Sequence, residues 1–343
     1  MSLPSESLPI EPASRATGTA ADLSRATHRI DGLDGAVELR RAPGGYLQVW
    51  PRPRSESLRE LYAEDFYDRE KPEYLSKVQR EKSYWDATWS MRRKLMESAL
   101  APTRRRLLDV GSSGGFLLDH FKAHGWQCVG IEPSHRAAAF AREQYGLEIF
   151  TGELLDYDVG VGGSDHSGRL HRRDHTAAEA IDSEQRFDAI HSSQVLEHVL
   201  EPEAFIERIA SLLRPNGVTY IEVPNEFNVF QETARERLGK SAWWVAPRHH
   251  LNYFDYESLA ALLDRHGLVE IDRLASFPIE IFLLMGDDYV GQPEVGSACH
   301  QRRMKFERSL IETGRTDDLL RIYRTFAQAG LGRTCGILAR KLA

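Results

Sequence analysis

The sequence predicts an α/β fold, a doubly wound seven-stranded sheet, and three observations predict it. Short apolar runs closed by turn residues recur along the chain. Stretches with helical spacing of apolar residues separate them, and a glycine-dense turn, Gly111 to Gly115, follows the first run of the main domain. Runs of about four to eight apolar residues suit strands buried on both faces. Strands alternating with helical stretches give a mostly parallel sheet with helices on both sides.

Residues 1–34 are rich in Ser, Pro, Ala and Thr without periodicity and are expected to form a mobile leader. Residues 35–103 read as a hairpin and a helical cap. Gly44–Gly45 can turn the hairpin, and helical spacing runs through Ser57–Phe66 and Tyr74–Leu100. The main domain is residues 104–343. Its first strand carries Leu107, Leu108 and Val110, and its second ends at Glu132. Ser134 suits an N-cap for a helix that runs to Tyr145 and stops at Gly146. Leu147–Phe150, Phe187–His191, Val218–Val223 and Val269–Leu274 supply four more strands. Helices are expected at Glu201–Leu213, ended by Pro215, Asn216 and Gly217, and at Tyr256–His266. Arg333–Lys341 is the last strand, and residues 277–330 form a helical insertion before it, near the cleft mouth. Residues 158–186 lack apolar periodicity and are expected to be a disordered surface insert. Its His166, His171 and His175 have no apolar frame to hold them, so no metal is expected there.

The 44 basic and 51 acidic residues give a formal charge of −7, which argues against nucleic acid as the main partner. Cys128, Cys299 and Cys335 make neither a disulfide framework nor a zinc pattern and fit a reducing cytosol. The chain opens without a basic start and apolar core, and no run approaches the roughly 18 apolar residues of a membrane span. A cytoplasmic protein acting on small molecules, without nucleic acid or membrane, is expected; a homodimer is left open.

A strand, glycine loop, helix and second strand ending in an acid handle nucleotide-like ligands. The loop lets backbone approach the ligand, and the acid can hold ribose hydroxyls. The G-x-G-x-x-G dinucleotide fingerprint is missed by Gly111-Ser112-Ser113-Gly114-Gly115, which disfavours a nicotinamide-dependent dehydrogenase. The stretch resembles instead the [D/E]-x-G-x-G-x-G loop of class I S-adenosylmethionine-dependent methyltransferases. Asp109, Gly111 and Gly115 match it, and Ser113 replaces the middle glycine. The resemblance implies a Rossmann-like fold, S-adenosyl-L-methionine as cofactor, and Glu132 as the ribose acid, with Ser112 and Pro133 beside it. Two charge-assisted hydrogen bonds from the ribose would contribute roughly 1.5–3 kcal/mol each.

Further segments match in order. Thr151-Gly152-Glu153 resembles the family's adenine-edge segment, which implies a cofactor role for Glu153. Residues 187–199, FDAIHSSQVLEHV, resemble its fourth strand and Leu-Glu-His tail, which borders the methionine part of the cofactor and implicates Gln194 and His198. Residues 212–223 are similar to the lead into its fifth strand. Residues 248–263, RHHLNYFDYESLAALL, resemble the H-x-x-x-F-x-x-x-S-L segment of bacterial methyltransferases of sugar, polysaccharide, quinone and natural-product pathways. Residues 44–67 are similar to the section that follows a small zinc ribbon in many of these. The ribbon's cysteines are missing, so no zinc is expected.

Methyl transfer from a sulfonium disperses charge, so alignment and exclusion of water matter more than covalent help. Holding both reactants in line can supply about 7–11 kcal/mol. A sugar or phenol hydroxyl also benefits from a base, and histidine suits that task near neutral pH. His249 and His250, following Trp243–Trp244, are the candidates, and Tyr253 is the next. The expected acceptor is a hydroxyl of a sugar, glycan precursor or natural product. Nitrogen or carbon acceptors, or a cofactor-binding module without transfer, stay open.

Overall fold

The computed structural model describes residues 38–158 and 185–342. The expected leader and nearly all of the histidine-bearing insert lie outside the described residues.

Seven strands form the main sheet: β3 (Arg106–Val110), β4 (Gln127–Glu132), β5 (Glu148–Thr151), β6 (Phe187–Ser193), β7 (Leu213–Pro224), β9 (Leu268–Ala275) and β10 (Thr334–Lys341). Their order is β5-β4-β3-β6-β7-β10-β9. The pairings among β3 to β7 are parallel, whereas β10 runs antiparallel to both β7 and β9. Neighbouring residues on one strand join opposite cores. Leu108, Ile190 and Ile221 pack on one face; Leu107, Ala189 and Tyr220 pack on the other. Both faces are therefore covered, which is why these strands read as unbroken apolar runs. The strand order reverses between the parallel neighbours β3 and β6, and ligands of such sheets bind beyond the carboxyl ends of the strands there.

The N-terminal section adds a three-stranded sheet. The hairpin of β1 (Glu38–Arg41) and β2 (Leu47–Trp50) turns at Gly44–Gly45 as expected, and β8 (Asn252–Tyr253) joins β2. The helical cap follows, with two departures from the sequence reading. The helix expected at Ser57–Phe66 is α1 (Ser55–Glu60) continuing into a π-helix, Leu61–Glu70, closed by Lys71 N–H donating to Phe66 O. The single helix expected at Tyr74–Leu100 divides into α2 (Tyr74–Arg80) and α3 (Lys82–Ser98).

Ser134 caps its helix, accepting from Ala137 N–H at 3.3 Å, and Gly146 ends it in the left-handed conformation. Pro215 to Gly217 do not trail the helix before them. That helix, Pro202–Leu212, ends earlier, and the three residues lie within β7. A helix at Val229–Leu238 was not anticipated; the Asn228 side chain caps it and Gly239 ends it. Residues 277–330 contain three helices, Glu280–Leu284, Pro293–Glu312 and Thr316–Gln328, as the expected insertion requires. Among the described residues no helix is long and apolar enough to cross a membrane.

Candidate active site

The glycine loop continues directly from β3. Gly111 and Gly115 both take positive φ, +76° and +75°. A Cβ on Gly111 would meet Val195 Cγ2 at 2.3 Å, and one on Gly115 would meet Leu147 Cδ1 at 2.5 Å and Ala141 Cβ at 2.8 Å. Close packing and backbone conformation therefore both exclude side chains at these two positions. The amides of Gly111 and Ser112 donate to Ile131 O, which ties the loop to the end of β4. Ser113 N–H then donates to Glu132 Oε2 at 2.8 Å, and Ser134 N–H donates to Glu132 Oε1 at 2.9 Å. One amide thus orients each carboxylate oxygen and leaves further lone pairs for two hydroxyls. Burial raises the Glu132 carboxyl to about 7, and the two amides oppose that rise. Ser112 Oγ is buried without a hydrogen-bond partner, and Pro133 is half-buried beside Glu132.

Asp109 does not stand open in the cleft. It is buried, and its Oδ1 accepts from His191 Nδ1 at 2.7 Å. His191 Nε2 in turn lies 3.3 Å from Arg92 Nη1, so the Nδ1–H tautomer satisfies both contacts. Arg92 Nη2 donates to Glu222 Oε1 at 2.5 Å, and Ser193 and Tyr220 hydroxyls also donate to that carboxylate. The network carries a cap residue, Arg92, into the foundation of the loop. Gln194 is exposed at the end of β6 with φ +58°, its amide bonded to Glu222 O. Glu153 pairs with Arg59 of α1 at 3.3 Å.

A second group of polar side chains forms where β6, β7 and the segment before β8 end. His250 Nδ1 lies 3.1 Å from Glu226 Oε1. Burial lowers the His250 pKa, but the hydrogen bond and charge of Glu226 outweigh that and raise it overall. His198 belongs to this group rather than to the loop. Its Nδ1 lies 2.7 Å from His249 O and 2.9 Å from Tyr62 Oη, and burial holds its pKa down to about 3. Glu197, 1% exposed, has no hydrogen-bond partner on either oxygen, and burial raises it to about 8. Ligand atoms of Glu197, His198 and His250 lie within 4.8 Å of one another, a grouping that could hold a metal ion and that the sequence reading did not anticipate.

The structure places the other two catalytic candidates, Tyr253 and His249, differently from His250. Tyr253 is 3% exposed and its hydroxyl accepts from Ala246 N–H at 3.1 Å. Burial pushes its pKa well above the usual phenol value, and its hydroxyl anchors the segment through Ala246. His249 lies on the rim, its Nε2 3.6 Å from Glu70, and contributes its carbonyl to His198. Of the three candidates, His250 is the one with a buried carboxylate, Glu226, within hydrogen-bond distance of a ring nitrogen.

The small sheet explains how these distant segments meet. Leu251 N–H donates to Glu197 O at 2.7 Å, and Asn252 Nδ2 donates to Val199 O at 2.7 Å. Arg52, just past the hairpin, donates to Leu251 O at 2.9 Å and Val199 O at 3.2 Å. Sequence reasoning missed Glu226 and Arg92, which lie outside the matched segments, and also Arg52 and His191, which lie inside them but whose partners are distant in sequence. A cavity of about 540 Å³ lies elsewhere, at the opposite ends of the strands, lined by Arg105, Gln127, Glu148, Asp188 and Arg214 among others.

Residues 82–272 match the methyltransferase domain family, more than half of the chain, and the chain belongs to that family, among the class I S-adenosylmethionine-dependent methyltransferases. The ubiquinone biosynthesis O-methyltransferase of Rhodopseudomonas palustris (strain BisA53) is 30% identical over 120 residues, 35% of this chain and 40% of that protein. The protein of the same name from Bradyrhizobium diazoefficiens is 30% identical over 121 residues, with the same coverage. The match thus spans about two fifths of these relatives' length. Among solved structures, a Haemonchus contortus phosphoethanolamine N-methyltransferase is 16% identical, with a TM-score of 0.48 over 94% of this chain and 73% of the other.

The site fits the cofactor of this class. Side chains are excluded at Gly111 and Gly115, Glu132 has lone pairs to spare, and Ser112 Oγ is an unpartnered buried group beside them.

Proposed function

We propose that the chain transfers a methyl group from S-adenosylmethionine to a hydroxyl of a small-molecule acceptor, with His250 as general base. The observation that carries this reading is the Glu226–His250 pair, a buried carboxylate holding an imidazole within the acceptor group. When bound, the cofactor supplies an electrophilic methyl group. Glu132 and the glycine loop hold the ribose end. Glu226 accepts the Nδ1 proton of His250, which leaves Nε2 as the basic atom to take the acceptor's hydroxyl proton. Glu226 then stabilises the imidazolium that forms. Tyr62 of the cap reaches this group at His198 Nδ1 and His249 O, which supports a role for the cap in closing it from water.

The acceptor we favour is a sugar, glycan precursor or natural-product hydroxyl. The resemblance of residues 248–263 to methyltransferases of those pathways supports it, and the relatives' name, O-methyltransferase, supports oxygen as the nucleophile. Assay of labelled methyl transfer to a panel of hydroxyl, amine and carbon acceptors tests the reading. Transfer confined to hydroxyls agrees with it; transfer to amines or carbon only would sink the choice of oxygen.

A further inference from the structure

Ser113 stands where the family pattern has a glycine, and its backbone explains why glycine is usual. It takes φ +51°, a left-handed conformation that a serine adopts at a cost and a glycine does not. What serine adds is a hydroxyl, and Tyr67 of the π-helix donates to it at 2.8 Å. The backbone amide of the same residue donates to Glu132. One residue therefore joins the cap to the ribose acid.

We propose that Ser113 and Tyr67 form a latch that holds the π-helix down over the cofactor site and sets how long the cofactor stays bound. The inference rests on the reading of the glycine loop and Glu132 as the S-adenosylmethionine site. Tyr67 is a dependable donor in this latch. Burial first, and then the charge of Glu132, keep its phenol protonated well beyond the usual range.

The rest of the segment is fastened to each part of the site in turn. Arg59, at the end of α1, pairs with Glu153 in the adenine-edge segment at 3.3 Å. Tyr62 Oη lies 2.9 Å from His198 Nδ1 and 3.2 Å from His249 O in the acceptor group. Arg136, just after Glu132, donates to Tyr67 O at 2.7 Å, to Asp68 at 2.9 Å and to Pro72 O at 3.3 Å. The segment therefore lies across both halves of the cleft, and ligand exchange requires it to lift. Ten residues of π-helix are unusual, and such turns concentrate at functional sites. Of these fastenings, only the Tyr67–Ser113 bond reaches the glycine loop itself.

The test compares release of labelled S-adenosylhomocysteine, chased by excess unlabelled ligand, from the full chain and from Ser113→Gly, Tyr67→Phe and the double variant. Each single variant is expected to release the ligand about three- to tenfold faster, the effect of one hydrogen bond. The double variant is expected to be no faster than either single, because both remove the same contact. Ser113→Gly relieves the left-handed serine and Tyr67→Phe does not, so the two ligand-free variants should differ in melting temperature yet release the ligand equally fast; release that tracks the melting temperature overturns the latch. Unchanged release in both singles, or effects that add, overturns the latch alone. A wild-type chain that binds no S-adenosylhomocysteine overturns the site reading and the latch with it.

Discussion

The donor and acceptor ends of the cleft hold their acids differently. Each oxygen of Glu132 accepts a backbone amide, from Ser113 and from Ser134, and Asp109 accepts from His191 on the adjacent strand. At the acceptor end, Glu197 is buried with neither oxygen hydrogen-bonded, and Glu280, fully buried, has one oxygen without a partner. Gln231 Oε1, beside Glu280, is also unpartnered. Backbone amides of the loop and of the following turn set the orientation of Glu132, while a side chain on the adjacent strand holds Asp109. Buried polar atoms without partners are costly, so the proposed acceptor end is the less satisfied of the two.

The sharpest way to break this contrast is at His250. His250→Ala is expected to lower kcat by about 10²- to 10⁴-fold, the usual contribution of a positioned base, with little change in cofactor affinity. His249→Ala should retain most turnover, since its backbone carbonyl, the part that His198 uses, survives. Equal losses in both variants, read from kcat and the cofactor KM, would remove the distinction drawn between them.

Glu226→Gln sharpens the same point through pH. Glu226 raises the His250 pKa, and the base works only when unprotonated, so activity rises with pH through that pKa. Without the carboxylate the pKa falls, and the acid limb of the rate profile should move to lower pH while the plateau drops. A limb that stays in place would show that His250 is not the titrating group.

The smallest effect is on stability. Burial raises Glu197 in the folded protein to about 8, above its ordinary 4.5. The folded state therefore retains a proton that the unfolded chain has lost. The stabilisation is fully present below about 4.5 and is lost as pH rises toward 8, by at most about 1.4 kcal/mol per pH unit. Glu132, raised to about 7, acts with the same sign. Melting temperatures measured from pH 5 to 9 should fall less steeply for Glu197→Gln than for the wild type. Parallel curves would contradict the buried, uncompensated carboxyl.

The legibility of the sequence followed the same division. Apolar runs, the Ser134 cap and the Gly146 stop placed β3 to β6 and their helices within a residue or two, because those signals are local. Asn228 and Gly239 are equally local signals, an N-cap and a left-handed stop, for the helix at Val229–Leu238, although they lie between two matched segments. The π-helix was beyond reach, since apolar spacing does not separate it from an ordinary helix over so few turns. Glu226 meets His250 through side chains on either side of a loop, and Arg52 reaches Val199 and Leu251 across 147 and 199 positions, where the Gln48–Asn252 pairing brings those segments together. Tyr253 misled for a related reason: its position beside the histidines was visible, while its burial was not.

Glu132 is the residue on which cofactor binding most directly depends. Calorimetric titration of the wild-type chain with S-adenosylmethionine is predicted to show one saturable site, weakened at least tenfold in Glu132→Gln, which keeps the shape of the residue and removes its charge. No binding by the wild type, or equal binding by both proteins, would contradict it.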